Sequence, residues 1–189
     1  MSAVSLPHPF DKPTVKPSEH ELRPSASADA RVWDIAAQVP DPEIPVISIA
    51  DLGILRAAKD DNGAAVVTIT PTYSGCPAMD HITGDVADAL KAAGYEDVHV
   101  DLVLQPAWTT DWITEEGRKN LRDYGIAPPT GKAAAGGPVP LTLAPPKPVE
   151  CPRCGSKDTS KLAQFGSTSC KALYSCKSCF EPFDYFKVH

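Results

Sequence analysis

Ala65-Val66-Val67-Thr68-Ile69-Thr70-Pro71-Thr72-Tyr73-Ser74-Gly75-Cys76-Pro77-Ala78 is where one periodicity gives way to another. Up to Thr70 the residues are apolar and β-branched, the signature of a buried strand. From Pro77 to Ala93 the apolar positions Ile82, Val86, Ala89, Leu90 and Ala93 share one helical face. Pro77 suits the first helical position, and Gly94 suits a left-handed exit. Strand, loop and helix together predict Cys76 at the N-cap of a helix. Free N–H groups and the helix dipole there favour an anion, so its thiol pKa is expected to fall. The resulting thiolate would be a nucleophile or a metal ligand. The plain alternative is a small buried hydrophobe, the usual fate of a free cysteine. Thr72, Tyr73 and Ser74 either hydrogen-bond a ligand here or cap the loop.

The surroundings of this segment read as a compact unit. Ile54 to Ala58 is a strand, Asp61-Asn62-Gly63 a turn, and Val98 to Leu104 a third strand. That last strand places Val98, Val100, Leu102 and Leu104 on one face, with His99 towards solvent. Asp29 to Val39 is a helix with Val32, Ile35, Ala36 and Val39 inward, ended by Pro40. Thr114 caps a final helix that buries Leu121 and closes at Tyr124-Gly125. The expected fold class is α+β: a two-layer sheet-and-helix domain over residues 29–126, then a small metal-ribbon module over 150–189. Residues 1–28, with five prolines and no hydrophobic period, read as a disordered or loosely docked tail. Residues 127–149, with seven prolines, read as an extended linker in which Leu141 and Leu143 offer docking side chains.

Five of the six cysteines fall in the last 39 residues, and four form Cys-x-x-Cys pairs: Cys151/Cys154 and Cys176/Cys179. Each pair bends into a knuckle presenting two thiolates, and two knuckles make a closed tetrahedral site for structural zinc. Iron at four thiolates has the same spacing, which leaves open a redox-active electron carrier. A redox dithiol or two disulfides are the remaining alternatives. The module is too short to bury its own core, so metal binding would supply folding free energy. Cys170 stands outside the paired spacing. It reads as a ribbon core residue, a fifth thiol near the metal, or a transfer ligand. Phe165, Tyr174, Phe180, Phe183, Tyr185 and Phe186 are expected to form the ribbon's core, with some left as a docking patch.

Net charge is −6. Residues 29–126 carry 7 Lys/Arg against 17 Asp/Glu, a net of −10, which repels a phosphate backbone. Residues 151–189 carry 6 against 3, a net of +3, so nucleic acid is not favoured as a partner. No apolar run is long enough for a membrane span, and no signal peptide is visible, so a cytoplasmic location is expected. There is no nucleophile–base–orienter trio, no Gly-rich phosphate loop and no di-iron carboxylate/histidine set. These features argue for an accessory protein over a turnover enzyme.

Two segments together resemble the MIP18-like (DUF59) family. They are Asp41-Pro42-Glu43-Ile44-Pro45-Val46-Ile47-Ser48-Ile49-Ala50-Asp51-Leu52-Gly53-Ile54 and Thr70 to Pro77. The resemblance implies iron–sulfur cluster assembly, with Cys76 transiently holding iron or a cluster. Phe165-Gly166-Ser167-Thr168-Ser169-Cys170-Lys171-Ala172-Leu173-Tyr174-Ser175-Cys176 and Glu181 to Lys187 resemble the D-subunit family of bacterial phenylacetyl-CoA epoxidase systems. That resemblance implies partners among the oxygenase or reductase components of a di-iron monooxygenase in phenylacetate catabolism. It implies either a maturation factor, with a possible homodimer, or a structural scaffold of the oxygenase complex.

Further residues carry two readings each. Asp41, Glu43 and Asp51 either hold a cation or, for the two aspartates, cap turns. Trp108, Thr109 and Asp111 either border the Cys76 site or bury the sheet's edge, with Asp111 capping the next helix. His81, Asp85 and Asp88 share a polar helical face and read as a solvated stripe.

Overall fold

The computed structural model describes residues 22–131 and 148–188. Most of the expected tail, together with Leu141 and Leu143 of the expected linker, lies outside them.

Helix α1 spans Ser27–Ala36 and buries Ala30, Val32, Trp33 and Ala36. Arg23 forms a two-point ion pair with Asp34 on its outer face. Strands β1 (Leu55–Asp61) and β2 (Ala64–Ile69) form an antiparallel hairpin. Asn62 (φ +56°) and Gly63 (φ +96°) close it, both in the left-handed region that an Asn-Gly turn requires. Helix α2 (Ala78–Ala92) buries Ile82, Val86 and Leu90 and returns the chain to β3 (Asp97–Leu102), parallel to β2. The sheet order is β1-β2-β3, with helices packed on it as the second layer.

The end of β3 departs from its alternation. Leu102 is 53 % exposed and Leu104 56 % exposed, because β3 is the sheet's edge and the chain leaves it there. A period-2 pattern reports which residues share a face, not whether that face is covered.

The segment from Asp41 to Ile54 is a plug rather than a strand. The Asp41 carboxylate accepts from the Glu43 and Ile44 amides at 2.9 and 2.8 Å, and the Asp41 amide donates to the Ile47 carbonyl. This winds the chain so that Ile44, Ile47, Ile49, Leu52 and Ile54 are all buried. Gly53 (φ +75°) has the Trp112 Cβ where its own Cβ would be, 2.6 Å away, so the plug can close only with glycine. Ser48 and Thr114 both donate to the Asp51 carboxylate, at 2.8 Å each. Thr114 also caps α3 (Glu115–Tyr124) by accepting from the Gly117 amide. Asp51 is therefore a capping and tying residue. Asp111 lies inside a 3-10 turn (Thr110–Trp112) and does not cap α3.

A second sheet follows, in the order β4-β7-β6-β5. Its strands are β4 (Ile126–Ala127), β5 (Thr159–Ala163), β6 (Lys171–Cys176) and β7 (Pro182–Phe186). Strand β4 directly follows α3 yet pairs in parallel with β7, which stitches the first unit to the ribbon. Phe186 on β7 is 1 % exposed and belongs to the main core, with its ring 6.1 Å from that of Trp108. The ribbon's own core is smaller: Val149, Ala172, Phe183 and Tyr185 with Cys151 and Cys176. Of the six aromatics expected inside the ribbon, Phe165 (64 %) and Phe180 (82 %) are exposed, and Phe186 points into the neighbouring core.

Candidate functional site: a four-thiol centre and a thiol–carboxylate junction

The two knuckles meet as the spacing requires. The ligand atoms of Cys151, Cys154, Cys176 and Cys179 all lie within 4.8 Å of one another. Cys151 and Cys179 sulfurs are 3.8 Å apart, and those of Cys154 and Cys176 3.5 Å. A tetrahedron with metal–sulfur bonds of about 2.3 Å has edges of about 3.8 Å, so the set fits one tetrahedral cation. The knuckles are built alike. The Cys151 amide donates to the Ser156 carbonyl at 2.9 Å, and the Cys176 amide to the Glu181 carbonyl at 3.0 Å. Gly155 (φ +74°) and Phe180 (φ +63°) occupy matching left-handed positions after each pair.

Electrostatics at this centre call for a cation. The amides of Cys179 and Ser178 point at the Cys176 sulfur, at 3.5 and 3.4 Å, and pull its thiol down to about 6. The Ser156 amide works the same way on Cys154, but the neighbouring thiols outweigh it and push Cys154 up to about 12. Four clustered sulfurs cannot all ionise until a positive charge joins them.

The second locus lies where the ribbon meets the plug. Cys76 sits one residue before Pro77, the N-cap of α2, and is half-buried. Its thiol is pushed up, not down. Burial is the main cause, and the carboxylates of Glu43 and Asp41 add to it; the Ala78 amide acts in the opposite sense. The helix-dipole argument fails here because desolvation and two nearby negative charges outweigh the Ala78 amide and the Tyr73 hydroxyl.

Glu43, on the plug, acts electrostatically on the same thiol. Burial raises its carboxyl, the Asp41 charge adds, and Lys171 and the Thr168 hydroxyl act against them. The Tyr73 phenol is raised by burial, with Cys76, Glu43 and Cys170 adding and the Ser169 hydroxyl acting against them. Cys170 is 5 % exposed, its sulfur 3.0 Å from the Thr168 hydroxyl. Burial raises its thiol, with Glu43 and Asp41 adding. Asp41 (6 % exposed) and Lys171 (4 %) are themselves buried. At the start of the loop, the Thr70 hydroxyl is buried with no hydrogen-bond partner, the kind of orphan that calls for a water or ligand.

The remaining candidates sit as follows. Thr72 is buried and Ser74 exposed. The Trp108 indole N–H donates to the Leu52 carbonyl at 3.0 Å. The Thr109 hydroxyl accepts from the Asp111 amide and caps the 3-10 turn. His81, Asp85 and Asp88 are exposed along α2. Sequence reasoning does not single out Thr168, Ser169 and Lys171. Nothing in local spacing marks them, since their partners lie about a hundred residues earlier. No helix among the described residues is long and apolar enough to cross a membrane.

Two family models match the chain. Residues 29–102 match the family model "Iron-sulfur cluster assembly protein", and residues 135–187 match "PaaD zinc beta ribbon domain". The chain is 49 % identical over 156 residues to the D-subunit of the putative 1,2-phenylacetyl-CoA epoxidase of Escherichia coli, covering 82 % of this chain and 90 % of that protein. It is 38 % identical over 83 residues to an Fe-S protein maturation auxiliary factor of Porphyromonas gingivalis, covering 43 % of this chain and 78 % of that one. A solved DUF59 domain from Bacillus anthracis aligns with a TM-score of 0.46 at 27 % identity, over 49 % of this chain and 90 % of that chain. With an assembly-type domain and a four-cysteine ribbon matched together along nearly the full length of that E. coli relative, this chain belongs to the D-subunit family of phenylacetyl-CoA epoxidase systems.

Proposed function

We propose that this protein is an accessory factor that hands iron or an iron–sulfur cluster to a component of a phenylacetyl-CoA epoxidase system. Cys76 is the transient ligand of the cargo. The observation that carries the reading is the Cys76 thiol, half-buried beside the Glu43 and Asp41 carboxylates at the mouth of α2. A raised thiol pKa suits a carrier. The bare site stays protonated and uncharged, and a cation must displace the proton to bind, which keeps the hold reversible. The likeness to Fe–S maturation factors over the first unit supports the same reading. The four-thiol centre is assigned to zinc in a structural role, closed on four sulfurs with no open position for chemistry. Six free thiols fit a reducing, cytoplasmic setting.

The test is maturation of the oxygenase in cells that carry Cys76→Ser in place of the native chain. The variant is expected to fold and keep one metal per chain at the four-thiol centre, while epoxidase activity falls to the level of a deletion. Full activity in that strain would refute the carrier role.

A further inference from the structure

We infer that the free edge of β3 is the surface on which two copies of this chain associate, pairing their β3 strands antiparallel about a two-fold axis at Val100.

This edge is open where its counterpart is closed. On the far side of the sheet, the Asp60 amide of β1 donates to the Asp29 carboxylate at 2.8 Å, and a bulge lies between Leu55 and Ala57. Both devices spoil an edge for further pairing. Strand β3 (Asp97–Leu102) has no proline, no lysine and no break in its register with β2, and no strand lies beyond it among the described residues. The Val103 amide donates to the Ile69 carbonyl of β2 at 2.9 Å. Backbone groups alternate between the two edges of a strand. Asp97, His99 and Asp101 therefore also turn theirs to β2, and Val98, Val100 and Leu102 turn theirs outward. The core face is unfinished here as well. Leu102 pairs with the fully buried Ile69, yet is itself 53 % exposed.

Charge selects the occupant and the register. Two antiparallel registers bring the outward groups of β3 together while overlapping most of the strand. An axis at His99 sets Asp97 opposite Asp101 of the second copy, twice, and like charges so placed repel. An axis at Val100 sets His99 opposite Asp101 of the second copy, twice, with Val98 opposite Leu102 on the other face. His99 and Asp101 are both exposed, and the His99 ring is held from its own strand, with Nε2 3.2 Å from the Asp97 carboxylate. The strand is thus complementary to itself, as an isologous interface requires. Pairing adds about six inter-strand hydrogen bonds and covers Leu102 of both copies. The Cys76 loop follows β2, which runs parallel to β3. Antiparallel pairing then puts the two Cys76 loops at opposite ends of the joined sheet, so a dimer carries two separate Cys76 sites.

The experiment is sedimentation equilibrium of the zinc-loaded full chain at about 5 and about 100 μM, which brackets the micromolar affinity of a small interface. Wild type is expected to shift from the 20.1 kDa of one chain towards twice that mass as concentration rises. Leu102→Lys should weaken the dimer by about a hundredfold, because the apolar contact is lost twice. His99→Glu sets carboxylates opposite each other and should weaken it by about tenfold. Adding Asp101→Lys to that variant restores pairs of opposite charge and should recover the dimer. All three side chains are exposed in the single chain, and unchanged circular dichroism and zinc content check the fold of each variant. A wild type that stays monomeric at both concentrations overturns the inference and leaves the edge to a strand of another protein. A dimer indifferent to Leu102→Lys or His99→Glu, or one that Asp101→Lys does not recover, overturns it too.

Discussion

Phe186→Ala tests whether ribbon and main unit are one cooperative body. Phe186 is on a ribbon strand but is 1 % exposed in the main core, tilted 55° against Trp108 at 6.1 Å. Truncating a fully buried phenylalanine costs about 3–5 kcal/mol in lost transfer energy and cavity. The site has little freedom to collapse, because β7 is held on both sides, by β6 and by β4. The upper part of that range, about 4 kcal/mol, is therefore expected. With a urea slope of about 2 kcal/mol per molar, the unfolding midpoint should drop by roughly 2 M. The assay is urea denaturation of the zinc-loaded protein followed by tryptophan fluorescence, with zinc release measured in parallel. Wild type should show one transition and the variant one transition at lower urea. A loss below about 1 kcal/mol with zinc retained, or two separated transitions in wild type, would refute the argument that the interface is core rather than contact.

Two further predictions concern single residues. Phe180 holds a left-handed conformation that costs a non-glycine residue about 1–2 kcal/mol, and its ring is 82 % exposed, so Phe180→Gly should raise the thermal midpoint; a drop would mean that the ring packs usefully. Burial raises the Glu43 carboxyl pKa, so the folded state disfavours its charged form. That penalty is absent below the unfolded pKa, near about 4.3, and sets in as pH rises through the folded value. Glu43→Gln should thus stabilise the chain at neutral pH, by about 0.5 kcal/mol, and have no effect in acid; equal midpoints at both pH values would refute it.

Legibility in the sequence varies with range. The Thr70 to Pro77 loop, the Asn-Gly hairpin, the Thr114 cap and the four-thiol spacing are all legible, since each is settled by neighbours within a few residues. The plug from Asp41 to Ile54 is recognisable as a motif but not as a core element. Its isoleucines follow no helical or strand period, because the Asp41 carboxylate and not a ladder organises them. The sign of the Cys76 shift comes out opposite to the sequence expectation for a related reason. The helix start is visible in the chain, whereas the burial and the carboxylates that outweigh it are not.

What the chain determined alone is the set of local devices: two knuckles for one cation, a strand–loop–helix that presents a thiol, and caps and turns that join them. Tertiary structure decided which devices meet. Cys76 and Cys170 are 94 residues apart in sequence, and no spacing rule links them. Both pack against the main core, Cys170 together with Phe186 because the ribbon is too small to cover its own apolar residues.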